Sequence, residues 1–247
     1  MKALVLAAGY ATRLYPLTKE YPKPLLKVGN KHIIDYIIEK LDKVEDIDEI
    51  LVVTNGKFIP HFRRWAKKLR TRKRVSLVDD LTTSLNDRRG AIGDMHFAIN
   101  KRKIKDNLVV VGGDNLFSGG LSDFLRFALS RHNSPVIGVY DIGDKKAAKN
   151  YGVVKIDHKC RITDFQEKPA SPSSTLVAMC LYYFPGAKLD LISDYITRKA
   201  GKHDATGFYI DWLSKKTQVF GFVFKGRWFD IGDHKFYNQA KEGFGNA

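Results

Sequence analysis

The chain has 247 residues, with 42 Lys plus Arg against 27 Asp plus Glu, a formal charge of +15. Hydrophobic residues make up 44% and charged residues 28%, a globular composition that excludes a disordered, collagen-like or disulfide-built chain. No apolar run reaches the ~18 residues that a membrane-spanning helix needs. The start, Met1-Lys2-Ala3-Leu4-Val5-Leu6-Ala7-Ala8-Gly9, reads as a strand entering a loop and lacks a signal peptide's length. Cys160 and Cys180 allow one disulfide at most, so a reducing cytoplasm is the expected compartment.

In chain order, residues 3–6 are apolar and β-prone. A loop follows, then a helix over 31–41 with Ile33, Ile34, Ile37, Ile38 and Leu41 on one stripe. Strands at 50–54, 75–78, 108–111 and 135–140 alternate with three helical patterns. These run through Phe58, Phe62, Trp65, Ala66 and Leu69, over 92–99, and through Leu121, Phe124, Leu125 and Ala128. Such alternation predicts βαβ units, a mostly parallel sheet and helices on both faces. From Tyr151 the texture becomes β-rich, with strands at 151–157, 162–167 and 175–184. Helices at 188–199 and 206–215, a strand at 218–224 and a closing helix carrying Phe236, Ala240 and Phe244 complete the pattern. No linker separates independent domains. The expectation is one α/β domain over 1–247, with a core to about 140 and a mixed-sheet elaboration after it.

The positive charge favours polyanionic partners such as nucleoside triphosphates, sugar phosphates or nucleic acid. It concentrates in Arg63, Arg64, Lys67, Lys68, Arg70, Arg72, Lys73 and Arg74. That run reads as a solvated helix end, and with no zinc spacing or helix-turn-helix pattern beside it, nucleic acid is not the expected partner. The histidines, including His203, form no pair at metal spacing. Trp65, Trp212 and Trp228 read as packing residues, and Asp204 and Asp211 as helix-start or surface residues.

Ligands of open parallel sheets bind beyond the carboxyl ends of the strands. Two segments stand at such ends. In the first, Leu6-Ala7-Ala8-Gly9-Tyr10-Ala11-Thr12-Arg13-Leu14-Tyr15-Pro16-Leu17-Thr18, small residues let backbone N–H groups approach phosphate. Arg13 adds a planar fork, and Lys23, in Pro22-Lys23-Pro24-Leu25-Leu26, a point charge. The second, Gly112-Gly113-Asp114-Asn115, presents a carboxylate that could join a hard cation to phosphate oxygens. Trp228-Phe229-Asp230-Ile231-Gly232-Asp233 places Asp230 between apolar neighbours, and Asp233 is the better helix cap.

Together with Tyr151-Gly152-Val153-Val154 and Phe165-Gln166-Glu167-Lys168-Pro169, these motifs resemble the sugar-1-phosphate nucleotidyltransferases, in order from residue 1 to about 240. The nearest likeness is to the glucose-1-phosphate thymidylyl- and uridylyltransferases. The resemblance implies a Rossmann-like core with an inserted sugar-binding portion. It implies Mg²⁺-dependent transfer from dTTP or UTP to glucose 1-phosphate, with cytidylyl or guanylyl transfer, or a non-catalytic assembly subunit, as alternatives. Leu6, Ala8, Gly9 and Gly90 would meet the nucleotide, Arg13 and Lys23 its triphosphate, and Asp114 and Asp230 the cation. Tyr151, Gly152, Glu167 and Lys168 would line the sugar-phosphate pocket. No membrane partner is implied, and an oligomer is possible.

The chain departs from the family at three points. Ala11 stands where the family commonly has Gly. Gly90-Ala91-Ile92 replaces the usual Gly-Thr-Ala, and no glutamine near Asp79 or Asp80 matches the one that reads the pyrimidine edge. The chain ends soon after Asp230, so the C-terminal β-helix that some relatives carry is not expected.

Overall fold

The computed structural model describes residues 1–198 and 205–244, so Lys199, His203 and Asp204 lie outside the described residues. β1 (Lys2–Leu6) opens the chain, and single 3₁₀ turns at Thr12–Leu14 and Lys23–Leu25 shape the long loop after it. A two-residue ladder of β2 (Lys27–Val28) and β3 (Lys31–His32) leads into α1 (Ile33–Asp42). Strand and helix then alternate through β4 (Glu49–Thr54), α2 (Ile59–Ala66), β5 (Arg74–Asp79), α3 (Gly90–Arg102) and β6 (Leu108–Gly112). Next come β7 (Asn115–Phe117), α4 (Leu121–Leu129), β8 (Val136–Asp141) and the one-turn α5 (Lys145–Ala148). The second half holds β9 (Gly152–Ile156), β10 (Ile162–Glu167), β11 (Leu176–Phe184), α6 (Asp190–Arg198) and α7 (Thr206–Ser214). β12 (Phe220–Phe224), β13 (Trp228–Asp230) and α8 (His234–Phe244) close it.

Among the described residues nine strands form one mixed sheet, in the order β10-β9-β11-β6-β1-β4-β5, with β8 against β11 and β12 against β8. β5, β4, β1 and β6 run parallel, and β11 lies antiparallel to β6, β8 and β9. The central strands are apolar throughout because helices cover both faces. Ala3, Val5, Ile50, Val52, Val109 and Val111 face α1, α2 and α4, while Leu4, Leu51, Val53, Leu108 and Val110 face α3, α6 and α7. The period-2 alternation of strand side chains thus divides one sheet between two cores. Phe124 of α4 is wholly buried against Phe222 and Phe224, with ring centroids 5.8 and 5.7 Å away. Phe124→Ala is expected to lower the unfolding free energy by about 3–5 kcal/mol in urea titrations, with the m-value unchanged.

The helix expected to run through Leu69 ends instead at Ala66. Asp42 captures the chain beyond it, accepting from Thr71 Oγ1 at 2.6 Å and from the Arg72 and Lys73 amides at 2.9 and 3.0 Å. Within the basic run, Arg72 pairs with Asp42, Arg74 pairs with Glu49, and Lys73 Nζ donates to the Ile47 carbonyl. The helix expected over 92–99 is longer, Gly90–Arg102. Neither β7 nor β13 was legible, since three residues are too few to show a period. Both cysteines are free, and among the described residues no helix is long and apolar enough to cross a membrane.

Candidate active site

β1, β4 and β6 end side by side, Leu6 pairing with both Val53 and Gly112, so the loops after them share one edge of the sheet. The first loop is fixed from below. Asn55, fully buried after β4, donates from Nδ2 to the Ala8 carbonyl at 2.8 Å. Ala11 adopts φ 48°, ψ 47°, the left-handed region that favours glycine, and Thr18 Oγ1 holds its carbonyl at 2.8 Å. Alanine therefore holds here a bend that glycine would adopt more freely.

Asp114 follows β6 in the turn into β7. Asp230 ends β13, which pairs antiparallel with β7 so that Asp230 stands opposite Asn115. This three-residue ladder brings together two carboxylates from distant parts of the chain. Lys23 ties the first loop to both of their strands: its Nζ donates to Asp114 Oδ2 and, at 2.9 Å, to the Ile231 carbonyl. Burial, and then the Asp114 charge, push the Asp230 carboxyl up to about 6, against the pull of Lys23, Arg13 and Lys168. Asp233 caps α8, accepting from the Phe236 amide at 3.0 Å, which leaves Asp230 free of that duty.

Two cavities meet at this pair. The larger, about 580 Å³, is lined by Leu6, Ala8, Gly9, Arg13, Lys23, Gly90 and Asp114. The smaller, about 260 Å³, is lined by Tyr151, Gly152, Glu167, Lys168, Arg13 and Asp230. Each of the twelve residues that the resemblance assigns to nucleotide, sugar phosphate or cation thus lines one cavity or the other, and Arg13 lines both. Gly90 starts α3 at φ 75°, a conformation that a side chain would strain. The ring of Tyr151 lies 5.4 Å from that of Trp228, and burial, then Asp230 and Asp233, hold the Tyr151 phenol at about 12. The hydroxyl therefore keeps its proton at neutral pH. Burial raises the Glu167 carboxyl, against the nearby Lys168 charge.

Several wall residues carried no signal in the sequence. Thr206 and Gly207, at the start of α7, reach the smaller cavity only through the packing of α7 on β10. Trp228, expected to be a packing residue, does pack on Tyr140 and Tyr151 but also lines the smaller cavity. Cys180, at φ 51° in the bulge of β11, lines both cavities. Burial pushes its thiol up to about 12, so the sulfur stays protonated. A Cβ on Gly207 would collide with the Glu167 carboxylate. Gly207→Ala is therefore expected to displace that carboxylate and raise the KM for whatever occupies the smaller cavity. The KM of the larger cavity's ligand should stay constant, as initial-rate kinetics with each ligand varied would read.

Parallel strands that end side by side, with two carboxylates and two cationic side chains at the same edge, define an α/β protein whose candidate site lies at the carboxyl ends of its strands. The nucleotidyl transferase family model matches residues 2–246, and the chain belongs to that family. The bifunctional protein GlmU of Methanococcus aeolicus is 29% identical over 94% of this chain and 51% of its own length. A protein of Sulfolobus acidocaldarius, provisionally named a mannose-1-phosphate guanyltransferase, is 31% identical over 94% of this chain and 60% of its own. The chain spans about half the length of the GlmU relatives it matches. Among solved structures, a provisionally named glucose-1-phosphate thymidylyltransferase from Bacillus anthracis superposes with a TM-score of 0.85 at 22% identity, covering 100% of this chain and 96% of that one. That likeness establishes the Rossmann-like fold.

Proposed function

We propose that the chain transfers a nucleotidyl group from a nucleoside triphosphate to a sugar 1-phosphate and releases pyrophosphate. dTTP or UTP and glucose 1-phosphate are the favoured pair. The observation that carries this reading is the junction: two cavities of unequal size share Arg13 and Cys180, with Asp114 in the wall of the larger and Asp230 in the wall of the smaller. The larger suits a nucleoside triphosphate and the smaller a sugar phosphate. GTP with mannose 1-phosphate is the second pair, favoured by the name of the Sulfolobus relative.

The chemistry calls for a divalent ion, and the donor set decides which kind fits. No group of three His, Cys, Asp or Glu suited to a metal occurs among the described residues, so a closed zinc site does not fit. Mg²⁺ takes one or two carboxylates and fills its remaining positions with phosphate oxygens and water, which fits Asp114 and Asp230. Held there, Mg²⁺ would neutralise charge on the reacting phosphates.

The protein's own groups do the rest by placement and charge. Arg13, open to both cavities, offers its guanidinium fork to phosphate oxygens on either side. Lys23 supplies a second positive charge beside the triphosphate. Tyr151 remains a hydroxyl donor, and Glu167 accepts from sugar hydroxyls. No enzyme nucleophile is required, because the sugar phosphate oxygen that attacks the α-phosphorus is already ionised. The protonated Cys180 thiol is unsuited to that role in any case.

A pyrophosphate-release screen crossing nucleoside triphosphates with sugar 1-phosphates tests the reading. The expected result is release that requires Mg²⁺ and one preferred pair. No release with any pair, together with RNA binding of steep salt dependence, would support the non-catalytic alternative.

A further inference from the structure

Asn115 is 2% exposed and sits behind the two cavities, immediately after Asp114. Both ends of its amide are engaged. Oδ1 accepts from Trp228 Nε1 at 2.6 Å, and Nδ2 donates to the Met179 carbonyl. Chemistry fixes this orientation, since an indole N–H can only donate and a carbonyl can only accept. One side chain thus ties together β7, β13 and the bulged stretch of β11 where it borders both cavities.

The tie falls on a short ladder. β7 and β13 pair over three residues each, and a two-stranded ladder that short has little stability of its own. It nevertheless holds Asp114 beside Asp230, whose like charges push the two strands apart. Trp228, two residues before Asp230, packs on Tyr140 and Tyr151 with both ring centroids 5.4 Å away, and its indole forms part of the smaller cavity's wall. Anchoring the indole N–H therefore fixes both the wall and the strand that carries the second carboxylate.

We infer that Asn115 is a positioning residue: through Trp228 and Met179 it holds Asp114 and Asp230 at the separation that one divalent cation requires. This rests on the proposed cation site and adds to it the element that keeps the site closed. Partners one layer behind a metal's ligands are worth about 10–100-fold in metal affinity.

The test is Mn²⁺ binding, followed by electron paramagnetic resonance on the nucleotide-loaded wild type, Asn115→Ala and Trp228→Phe, with circular dichroism as the folding control. Asn115→Ala is expected to raise the Mn²⁺ Kd by about 10–100-fold. Nucleotide affinity measured without metal should not change. Trp228→Phe, which removes the indole donor to Asn115 together with part of the ring that packs on Tyr140 and Tyr151, should weaken Mn²⁺ in the same direction. The double variant should be no worse than Asn115→Ala, because the two act as one unit. A folded Asn115→Ala with wild-type Mn²⁺ affinity overturns the inference and leaves the site reading intact. If Asn115→Ala does not fold, wild-type affinity in Trp228→Phe overturns it instead. A wild type that binds nucleotide but no Mn²⁺ overturns the site reading and the inference with it.

Discussion

Asp114→Asn is expected to cut the rate of pyrophosphate release by about 100-fold or more, with the sugar-phosphate KM changed far less. The substitution keeps the size of the side chain and removes one negative charge. The Lys23 Nζ that now donates to the Asp114 carboxylate would face a neutral amide, and its bond to the Ile231 carbonyl would hold it in place. The loss should therefore fall on stabilisation of the reacting phosphates, a kcat effect. Asp230→Asn should act in the same sense. Because burial and Asp114 together raise its carboxyl to about 6, removing that charge also relieves repulsion. Asp230→Asn is thus expected to melt at or above the wild-type temperature while losing turnover, a combination that separates a site residue from a structural one. Unchanged turnover in either variant, with Mg²⁺ present, would contradict the assignment.

Lys23→Ala is the second large effect, an expected fall of about 100-fold in kcat/KM for the nucleotide. Lys23 occupies a 3₁₀ turn whose Pro24 and Leu25 are buried, so its stem starts from a fixed backbone. Its ammonium reaches the ends of two strands paired through a short ladder. Removing it takes a positive charge from the larger cavity and leaves Asp114 without its partner, which should amplify the like-charge repulsion with Asp230. Initial rates at varied nucleotide check this, and Lys23→Arg tests whether charge alone suffices. Full rescue by arginine would show that the point-charge geometry of lysine is unimportant.

The alternation of apolar strands and amphipathic helices was legible in the sequence because each element shows its own period. Ile34, Ile37, Ile38 and Leu41 predict one face of α1, and that face is buried. The site motifs were legible where they end a strand, as Leu6 to Gly9 and Gly112 to Asp114 do. What the sequence did not disclose was the means of bringing Asp114 to Asp230. β7 and β13 are too short to carry a pattern, and their pairing joins segments at opposite ends of the chain. Gly207 and Thr206 were hidden for a related reason. They start a helix whose place beside Glu167 depends on long-range packing, and nothing local to Thr206-Gly207 points to Glu167. Trp228 packs as its apolar strand suggests, but nothing in that pattern shows that one edge of the indole also faces a cavity.

The account stands on a shared cation at the junction of the two cavities. Crystals soaked in Mn²⁺ with a nucleoside triphosphate would locate it by anomalous scattering. The account predicts one strong peak in contact with both the Asp114 and Asp230 carboxylates and a phosphate oxygen. Ordered nucleotide in the larger cavity, with no peak at that pair or with the ion held elsewhere, would contradict it.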